Sequence, residues 1–273
     1  MCDVCGCGDP ELVSVDVHER ILSQNDRSAG HNRAHFAGRG TLAINLMGSP
    51  GAGKTALLEA TRQAAPELRL GAVSGDLATE NDATRLSAAG IASWTITTGT
   101  ACHLDAGMVH HVLHELPAAS FDVFFIENVG NLVCPAIYDL GQAANVVALS
   151  TTEGVDKPLK YPVMFRAADL VLLTKADLLP HLPEIDPERI RAHLAQVAPA
   201  AQMLVVSARS GEGMDAWVSW LRAQRAAVAA GAGARHGPVA DSAPGHGHSH
   251  AHGHSHGHGH GHAHAHGPDE ESP

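Results

Sequence analysis

Short apolar runs recur along the chain between residues 41 and 208. They are TLAINLM (41–47), GAVSGD (71–76), SWTIT (93–97), FDVFFIE (121–127), NVVALST (145–151), DLVLLTK (169–175) and QMLVVSA (202–208). Several are apolar throughout, which is typical of strands that are buried on both faces of a sheet. The pattern therefore predicts about seven strands.

Helix-like stretches separate most of these strands. They cover residues 54–65, 81–89, 103–116, 187–197 and 214–225, and a further helix rich in His and Arg is predicted over 16–39. Alternation of strands and helices predicts a mostly parallel sheet with helices on both faces. The expected fold is a three-layer α/β domain over residues 16–226.

The two ends of the chain differ in composition from this central domain. Residues 1–15 hold three of the five cysteines, and residues 227–273 consist mainly of Ala, Gly, Pro and His. The C-terminal segment has too few large apolar side chains to offset the entropy of folding, so we expect it to be disordered without a ligand. Both ends are expected to be flexible.

Charge and hydropathy exclude some classes of function. The formal net charge is −11 and no Lys/Arg stripe is present, which argues against a nucleic-acid partner. No run approaches the ~20 apolar residues of a membrane span, and the N-terminus lacks the pattern of a signal peptide. We therefore expect a cytoplasmic protein without membrane insertion, in which clustered cysteines indicate metal binding or redox chemistry rather than disulfides.

The segment GSPGAGKT at residues 48–55 matches the phosphate-binding pattern G-x-x-x-x-G-K-[ST]. It follows a predicted strand and opens a predicted helix, which is the context that such a loop requires. Its glycines let backbone N–H groups surround phosphates at a helix N-terminus, where the helix dipole favours an anion. We expect Lys54 to reach the outer phosphates and the Thr55 hydroxyl to bind Mg²⁺.

The segment TKAD at residues 174–177 predicts which base is bound. Asp177 can accept two hydrogen bonds from guanine N1–H and N2–H₂, whereas adenine would leave a buried carboxylate unpaired. Lys175 is expected to lie along the base, and SARSGEG, from Ser207, to supply a backbone N–H to the guanine oxygen. G-proteins usually carry Asn where this chain has Thr174, although signal-recognition-particle GTPases also carry Thr. The predicted ligand is GTP.

The predicted nucleotide-binding residues come from both loops. They are Gly48, Ser49, Pro50, Gly51, Ala52, Gly53, Lys54, Thr55, Thr174, Lys175, Asp177, Ser207 and Ala208. Asp76 and Glu127 end two predicted strands beside the phosphates, so we expect them to bind Mg²⁺ with Thr55 and to act in catalysis with Lys54. Alternatively, each carboxylate caps the helix that follows it. No residue stands out as an arginine finger, so hydrolysis is expected to be slow.

The N-terminal segment MCDVCGCG is a candidate metal site. Cys2, Cys5 and Cys7 place three thiolates in one tight loop. With the amine of Cys2 exposed by removal of Met1, the set suits tetrahedral Zn²⁺ or planar Ni²⁺. Incidental terminal thiols are the alternative interpretation.

A second candidate metal site combines ACHLDAGM with NLVCP. Cys102, His103 and Cys134 follow predicted strands on the nucleotide side of the sheet. A loop that senses the γ-phosphate is therefore expected to move these ligands. Two thiolates and an imidazole are one ligand short of a closed site, so a water or a second subunit must complete it. A structural buried cysteine is the alternative for Cys134.

The C-terminal segment carries a histidine at every second position from 246 to 266. These histidines are His246, His248, His250, His252, His254, His256, His258, His260, His262, His264 and His266. Flexible spacers let neighbouring imidazoles converge on one ion, and half or more of them should be neutral at pH 7. We interpret the segment as a metal reservoir, with a purification tag or a low-complexity tail as alternatives. The remaining candidates, His31, His35, His110, His111 and His114, are expected to face solvent.

The combined motifs resemble the HypB family of hydrogenase nickel-incorporation GTPases. The motifs that carry the resemblance are the Cys-x-x-Cys-Gly-Cys start, GSPGAGKT, CHLDAGM, FFIENVGNLVCP, EGVDKPLKYP and SARSGEGMDAW. The resemblance implies a GTPase that dimerises on binding GTP and delivers Ni²⁺ to the [NiFe] hydrogenase large-subunit precursor with a HypA-like nickel chaperone. It also implies a high-affinity nickel site at the three N-terminal cysteines and a weaker site at the dimer interface, formed by Cys102, His103 and Cys134.

Two other functions remain open from the sequence. A urease accessory GTPase shares the fold and often a His-rich end, but it lacks the Cys-x-x-Cys-Gly-Cys start, and NLVCP also argues against it. A metal-storage protein with a merely structural nucleotide site is the other alternative. Loss of GTP turnover on changing Lys54 would exclude it.

Overall fold

The computed structural model describes residues 15–76, 81–99, 101–116 and 121–231, without the side chains of residues 15–21, 76 and 81. In these ranges, seven strands form one sheet. They are β1 Leu42–Gly48, β2 Leu70–Asp76, β3 Ala92–Thr97, β4 Val123–Glu127, β5 Ala144–Ser150, β6 Leu170–Thr174 and β7 Gln202–Val205. The order is β3-β2-β4-β1-β5-β6-β7, and every neighbouring pair is parallel. The predicted parallel sheet is confirmed.

Helices connect the strands and cover both faces of the sheet. They are α1 Val15–Gly38, α2 Lys54–Ala64, α3 Asn81–Ala88, α4 Ala106–Glu115, α5 Lys157–Lys160, α6 Pro162–Arg166, α7 Pro187–Val197 and α8 Met214–Ala229. None of the helices in the described ranges has the length and apolar character needed to cross a membrane.

Alternate side chains of β1 point to opposite faces of the sheet and enter separate cores. Leu42 and Ile44 join a core with residues of α2, α3 and α8, in which Trp217 is fully buried. Ala43 faces a core with residues of α1 and α4, whereas Met47 faces one with residues of α6 and α7. The arrangement confirms the three predicted layers.

Several element boundaries differ from the prediction, and two of them lie beside predicted site residues. Helix α4 begins at Ala106 instead of residue 103, because the Asp105 carboxylate accepts a hydrogen bond from Met108 N–H at 2.8 Å and caps the helix. Strand β7 ends at Val205 instead of 208, because Ser207 N–H donates to Glu212 O at 2.9 Å and turns the chain. Both differences leave predicted site residues in loops at the carboxyl edge of the sheet.

Gly213, immediately before α8, provides a test of the close turn between β7 and α8. Its φ is +68°, and a Cβ there would overlap the carbonyl oxygen of Val205. Gly211 has φ +82° with no atom within 4 Å of such a Cβ, so it serves as a matched control. We expect Gly211→Ala to lower the free energy of unfolding by about 1–2 kcal/mol through backbone strain. Gly213→Ala should lower the free energy of unfolding by about 1–3 kcal/mol more than Gly211→Ala does, because its Cβ would also clash with the Val205 carbonyl oxygen. Urea unfolding measures both, and equal losses would contradict the close packing.

Candidate nucleotide and metal site

The phosphate-binding loop connects β1 to α2 at the centre of the sheet. Gly48 passes so close to β5 that a Cβ would overlap the Ala148 carbonyl oxygen, so only glycine fits at the end of β1. Lys54 begins α2 and folds back over its own loop, where Nζ donates to Gly48 O at 3.4 Å and Ser49 O at 3.3 Å. The loop therefore supplies backbone N–H groups, a helix N-terminus and an ammonium group at one position.

A cavity of about 380 Å³ opens beside this loop, and charged groups line it. Glu127, at the end of β4, is 4% exposed and accepts hydrogen bonds from Thr55 Oγ1 at 3.0 Å and Ser74 Oγ at 3.3 Å. Burial raises the pKa of Glu127 and lowers the pKa of Lys54. A buried carboxylate beside a hydroxyl is an oxygen donor set of the kind that Mg²⁺ prefers, so these residues fit the ion.

A second cavity of about 400 Å³ lies on the other side of α2, and the TKAD segment lines it. Asp177 Oδ1 accepts a hydrogen bond from Ser207 Oγ at 2.7 Å, which fixes the carboxylate at the cavity. Lys175 adopts a left-handed conformation, with φ 60°, as the chain leaves β6. The sequence-predicted residues Thr174, Lys175, Asp177 and Ala208 are therefore brought together here.

Thr174 links this loop to the phosphate-binding loop. Its hydroxyl donates to Ala52 O at 2.6 Å and lies 3.3 Å from Leu149 O. Thr174 stands where G-proteins usually carry Asn, and its hydroxyl still supplies a side-chain donor between the two loops.

Cys102, His103 and Cys134 come together on the other side of the phosphate-binding loop, as predicted. Their ligand atoms all lie within 4.8 Å of one another, with Cys102 Sγ 3.1 Å from Cys134 Sγ and 3.8 Å from His103 Nδ1. The sulfur separation exceeds the ~2.05 Å of a disulfide, so both sulfurs are thiols. Burial lowers the pKa of His103, which favours the neutral, metal-binding imidazole. The donor set fits Zn²⁺ or Ni²⁺.

Comparison with known proteins decides the family. The family model described as CobW/HypB/UreG, nucleotide-binding domain, matches residues 42–205. Hydrogenase maturation factor HypB of Azotobacter vinelandii is 50% identical over 210 residues, which cover 77% of this chain and 69% of the relative. The chain belongs to the HypB family.

Solved HypB structures also share its fold. HypB from Archaeoglobus fulgidus aligns with a TM-score of 0.69 and 38% identity, covering 75% of this chain and 100% of that one. HypB from Helicobacter pylori, in complex with nickel, aligns with a TM-score of 0.73 and 34% identity, covering 78% and 99%. The fold is therefore that of the P-loop HypB proteins.

Several predicted residues of this HypB-family chain lie outside the described part of the structure. Cys2, Cys5, Cys7 and the eleven histidines between His246 and His266 belong to this group. The backbone of Asp76 ends β2 as predicted, but its side chain also lies outside the description.

Sequence reasoning missed three residues beside the phosphate-binding loop. Glu153 accepts a hydrogen bond from Ser49 Oγ and pairs with Lys157 Nζ at 3.1 Å. Arg85 of α3 lines the same cavity as Lys54 and pairs with Glu59 Oε2 at 2.7 Å. The i,i+4 spacing of Glu153 and Lys157 was a detectable signal of an ion pair. Asp82 also lines this cavity.

Asn128 connects the nucleotide residues to the metal residues. It follows Glu127 directly and is 1% exposed. Its Oδ1 accepts a hydrogen bond from Leu104 N–H at 3.1 Å, next to His103, and its Nδ2 donates to Asn45 Oδ1 at 3.1 Å. Asn45 in turn donates to Asn145 Oδ1 at 3.1 Å. A chain of buried amides thus runs from β5 through β1 to the loop that carries Cys102 and His103.

Replacing Asn128 tests this connection. Asn128→Leu replaces the amide with a larger apolar side chain, so Leu104 N–H and Asn45 Oδ1 lose their partner, which should lower the free energy of unfolding by about 1–3 kcal/mol for each buried group. We expect faster reaction of Cys102 with a thiol reagent, because its loop loses an anchor. Gln196→Leu, which makes the same amide-to-leucine change at an exposed side chain of α7, is the control and should change neither quantity. Unchanged Cys102 reactivity in Asn128→Leu would show that Asn128 does not hold the loop.

Proposed function

We propose that this chain is a cytoplasmic, GTP-hydrolysing nickel metallochaperone that delivers Ni²⁺ for assembly of the [NiFe] hydrogenase active site. One observation carries the proposal. The segment that begins with Glu127 in the phosphate cavity continues through Asn128 to Cys134 in the metal cluster. The proposed nucleotide and metal ligands therefore share one short piece of backbone. A shift of this backbone at one site moves the ligands of the other site. The HypB family membership supports the same function.

The proposed reaction is attack of water on the γ-phosphorus of GTP, with release of GDP and phosphate. Lys54 and the loop N–H groups stabilise the charge on the phosphate oxygens, while Thr55, Glu127 and Asp76 hold Mg²⁺. An ion held by these residues would neutralise charge on the phosphate oxygens. Because burial disfavours the charged Lys54, an anionic phosphate restores a favourable environment for its ammonium group.

Base selection is assigned to Asp177. Its carboxylate accepts from both donors on the guanine edge, and the hydrogen bond from Ser207 Oγ holds it in place. Adenine presents an acceptor and a C–H at these positions, so it would leave the carboxylate unpaired. Lys175 lies along the base, and the backbone at Ser207 and Ala208 contacts the guanine oxygen.

Nickel is the cargo of the Cys102, His103 and Cys134 cluster in this proposal. Two thiolates and an imidazole leave coordination positions open, and a second copy of the chain in a GTP-promoted homodimer completes them. Open positions also allow release, so the ion can pass between a HypA-like nickel chaperone and the hydrogenase large-subunit precursor. Zn²⁺ fits the same ligands, and its tetrahedral preference makes it the competing metal.

The two ends of the chain have separate proposed roles around the GTPase domain at residues 16–226. The segment 1–15 binds one Ni²⁺ through Cys2, Cys5 and Cys7. The segment 227–273 stores further Ni²⁺ through its alternating histidines, whose imidazoles release metal as they protonate near pH 6. Delivery and storage are thus combined in one chain.

Hydrolysis assays on the full chain test the nucleotide assignment. The wild type should hydrolyse GTP slowly with Mg²⁺ and discriminate against ATP, and Lys54→Ala should abolish turnover. Asp177→Asn should weaken GTP binding by about 2–4 kcal/mol, which is about 30- to 1000-fold, and improve binding of xanthosine triphosphate. The control Glu184→Gln makes the same carboxyl-to-amide change at an exposed residue that lines neither cavity. Equal hydrolysis of ATP and GTP by the wild type would refute the proposal.

A further inference from the structure

Two helical histidine pairs meet where α1 packs along α4. His31 and His35 are spaced i,i+4 on α1, and His110 and His114 have the same spacing on α4. His110 Nε2 lies 3.1 Å from His114 Nε2, and the His31 and His110 ring centroids are 5.8 Å apart. The expectation that these residues simply face solvent is wrong for His35 and His110, which are half-buried and hydrogen-bonded.

The tautomer of His110 follows from the hydrogen bonds of buried Asn32. Asn32 Nδ2 donates to Ala106 O at 2.9 Å and Leu140 O at 3.1 Å, so its amide orientation is fixed. Its Oδ1 therefore accepts from His110 Nδ1–H at 2.9 Å. His110 then presents an Nε2 lone pair toward His114. Histidine ligands of metal ions are held in this way, by donation from the second ring nitrogen to a fixed oxygen.

We propose that His110 and His114, with His31 as a third ligand, form a transition-metal site on the α1/α4 face, separate from the Cys102, His103 and Cys134 cluster. Two nitrogens bound to one ion at ~2.1 Å lie about 3.0 Å apart at a right angle and about 3.4 Å apart at the tetrahedral angle. The observed 3.1 Å falls within this range. His31 is exposed, so its ring can turn to the same ion.

The surroundings of His110 favour its neutral imidazole. Burial, followed by the neighbouring His114 and His31, lowers the pKa of His110. His35 belongs to the same cluster, but its Nε2 accepts a hydrogen bond from Arg39, so its lone pair is already used. The ligand set is therefore three imidazoles, which suits Ni²⁺, Zn²⁺ or Cu²⁺ and not Mg²⁺ or Ca²⁺.

This site is independent of the nucleotide chemistry in the proposed function. Asn25 fixes α1 against the start of α4, because its Oδ1 accepts from Ala106 N–H at 2.8 Å and its Nδ2 donates to Asp139 O at 2.8 Å. From Ala106, His110 is about 6 Å further along the helix at ~1.5 Å per residue. The folded domain would then hold one ion at the Cys102, His103 and Cys134 cluster and a second ion on α4, the helix that follows the loop with His103.

Residue-resolved histidine labelling of the full chain tests the site. Diethylpyrocarbonate modification is followed by mass spectrometry while Ni²⁺ is added until the C-terminal histidines are protected, with Mg²⁺ as the control ion. We expect Ni²⁺ to suppress labelling of His110, His114 and His31 and Mg²⁺ to leave it unchanged. Labelling of His110 and His114 at the same rate with Ni²⁺ as with Mg²⁺, once the tail is protected, would overturn the proposal.

Two single variants decide whether the histidines share one ion. His114→Gln changes an exposed side chain, so the fold is kept, and it should remove the Ni²⁺ protection of His110 and His31. His111→Gln, on the same helix at a side chain that is 85% exposed, should leave that protection intact. Continued protection of His110 in His114→Gln would show that no shared site exists.

Discussion

Two adjacent buried residues at the end of β4 connect both halves of the candidate site. Glu127 faces Thr55 and Ser74 beside the phosphate-binding loop, whereas Asn128 holds Leu104 N–H in the loop that carries Cys102 and His103. Both are nearly inaccessible to solvent, so neither can lose its partners without leaving a buried polar group unpaired. β4 also pairs with β1, which leads into the phosphate-binding loop. The candidate nucleotide and metal residues are therefore attached to the same pair of central strands.

Lys54 and Glu127 line the cavity beside the phosphate-binding loop, and their buried charges suit the binding of a charged ligand better than they stabilise the ligand-free protein. Burial lowers the pKa of Lys54 and raises that of Glu127, so the charged form of each is disfavoured by its surroundings. Their mutual attraction offsets part of this cost. Anionic phosphates beside Lys54 and a cation beside Glu127 would offset more, which is the behaviour expected of preorganised binding groups.

The sequence was sufficient to predict elements whose signal is local. Buried strands, the GSPGAGKT loop and the helix over 16–39 follow from short-range patterns. Helix α1 runs through Gly30 and ends at Gly38, and a Cβ at either glycine would meet no atom within 4 Å. The meeting of Cys102, His103 and Cys134 was also predictable, because carboxyl ends of parallel strands share one edge. The contact between Glu153 and Ser49 and the environment of His110 were not predictable. Glu153 reaches Ser49, and His110 is held by Asn32, only through contacts between distant segments.

Reciprocal linkage between nickel and nucleotide tests the central claim most directly. The nickel affinity of the Cys102, His103 and Cys134 cluster should be measured on the full chain with GDP and with a non-hydrolysable GTP analogue, using the thiolate-to-nickel charge-transfer band that Cys102→Ser removes. The two nickel affinities should differ, and nickel should change the ratio of analogue to GDP affinity by the same factor. Equal nickel affinities in both nucleotide states would contradict a connection between the two sites through Glu127 and Asn128.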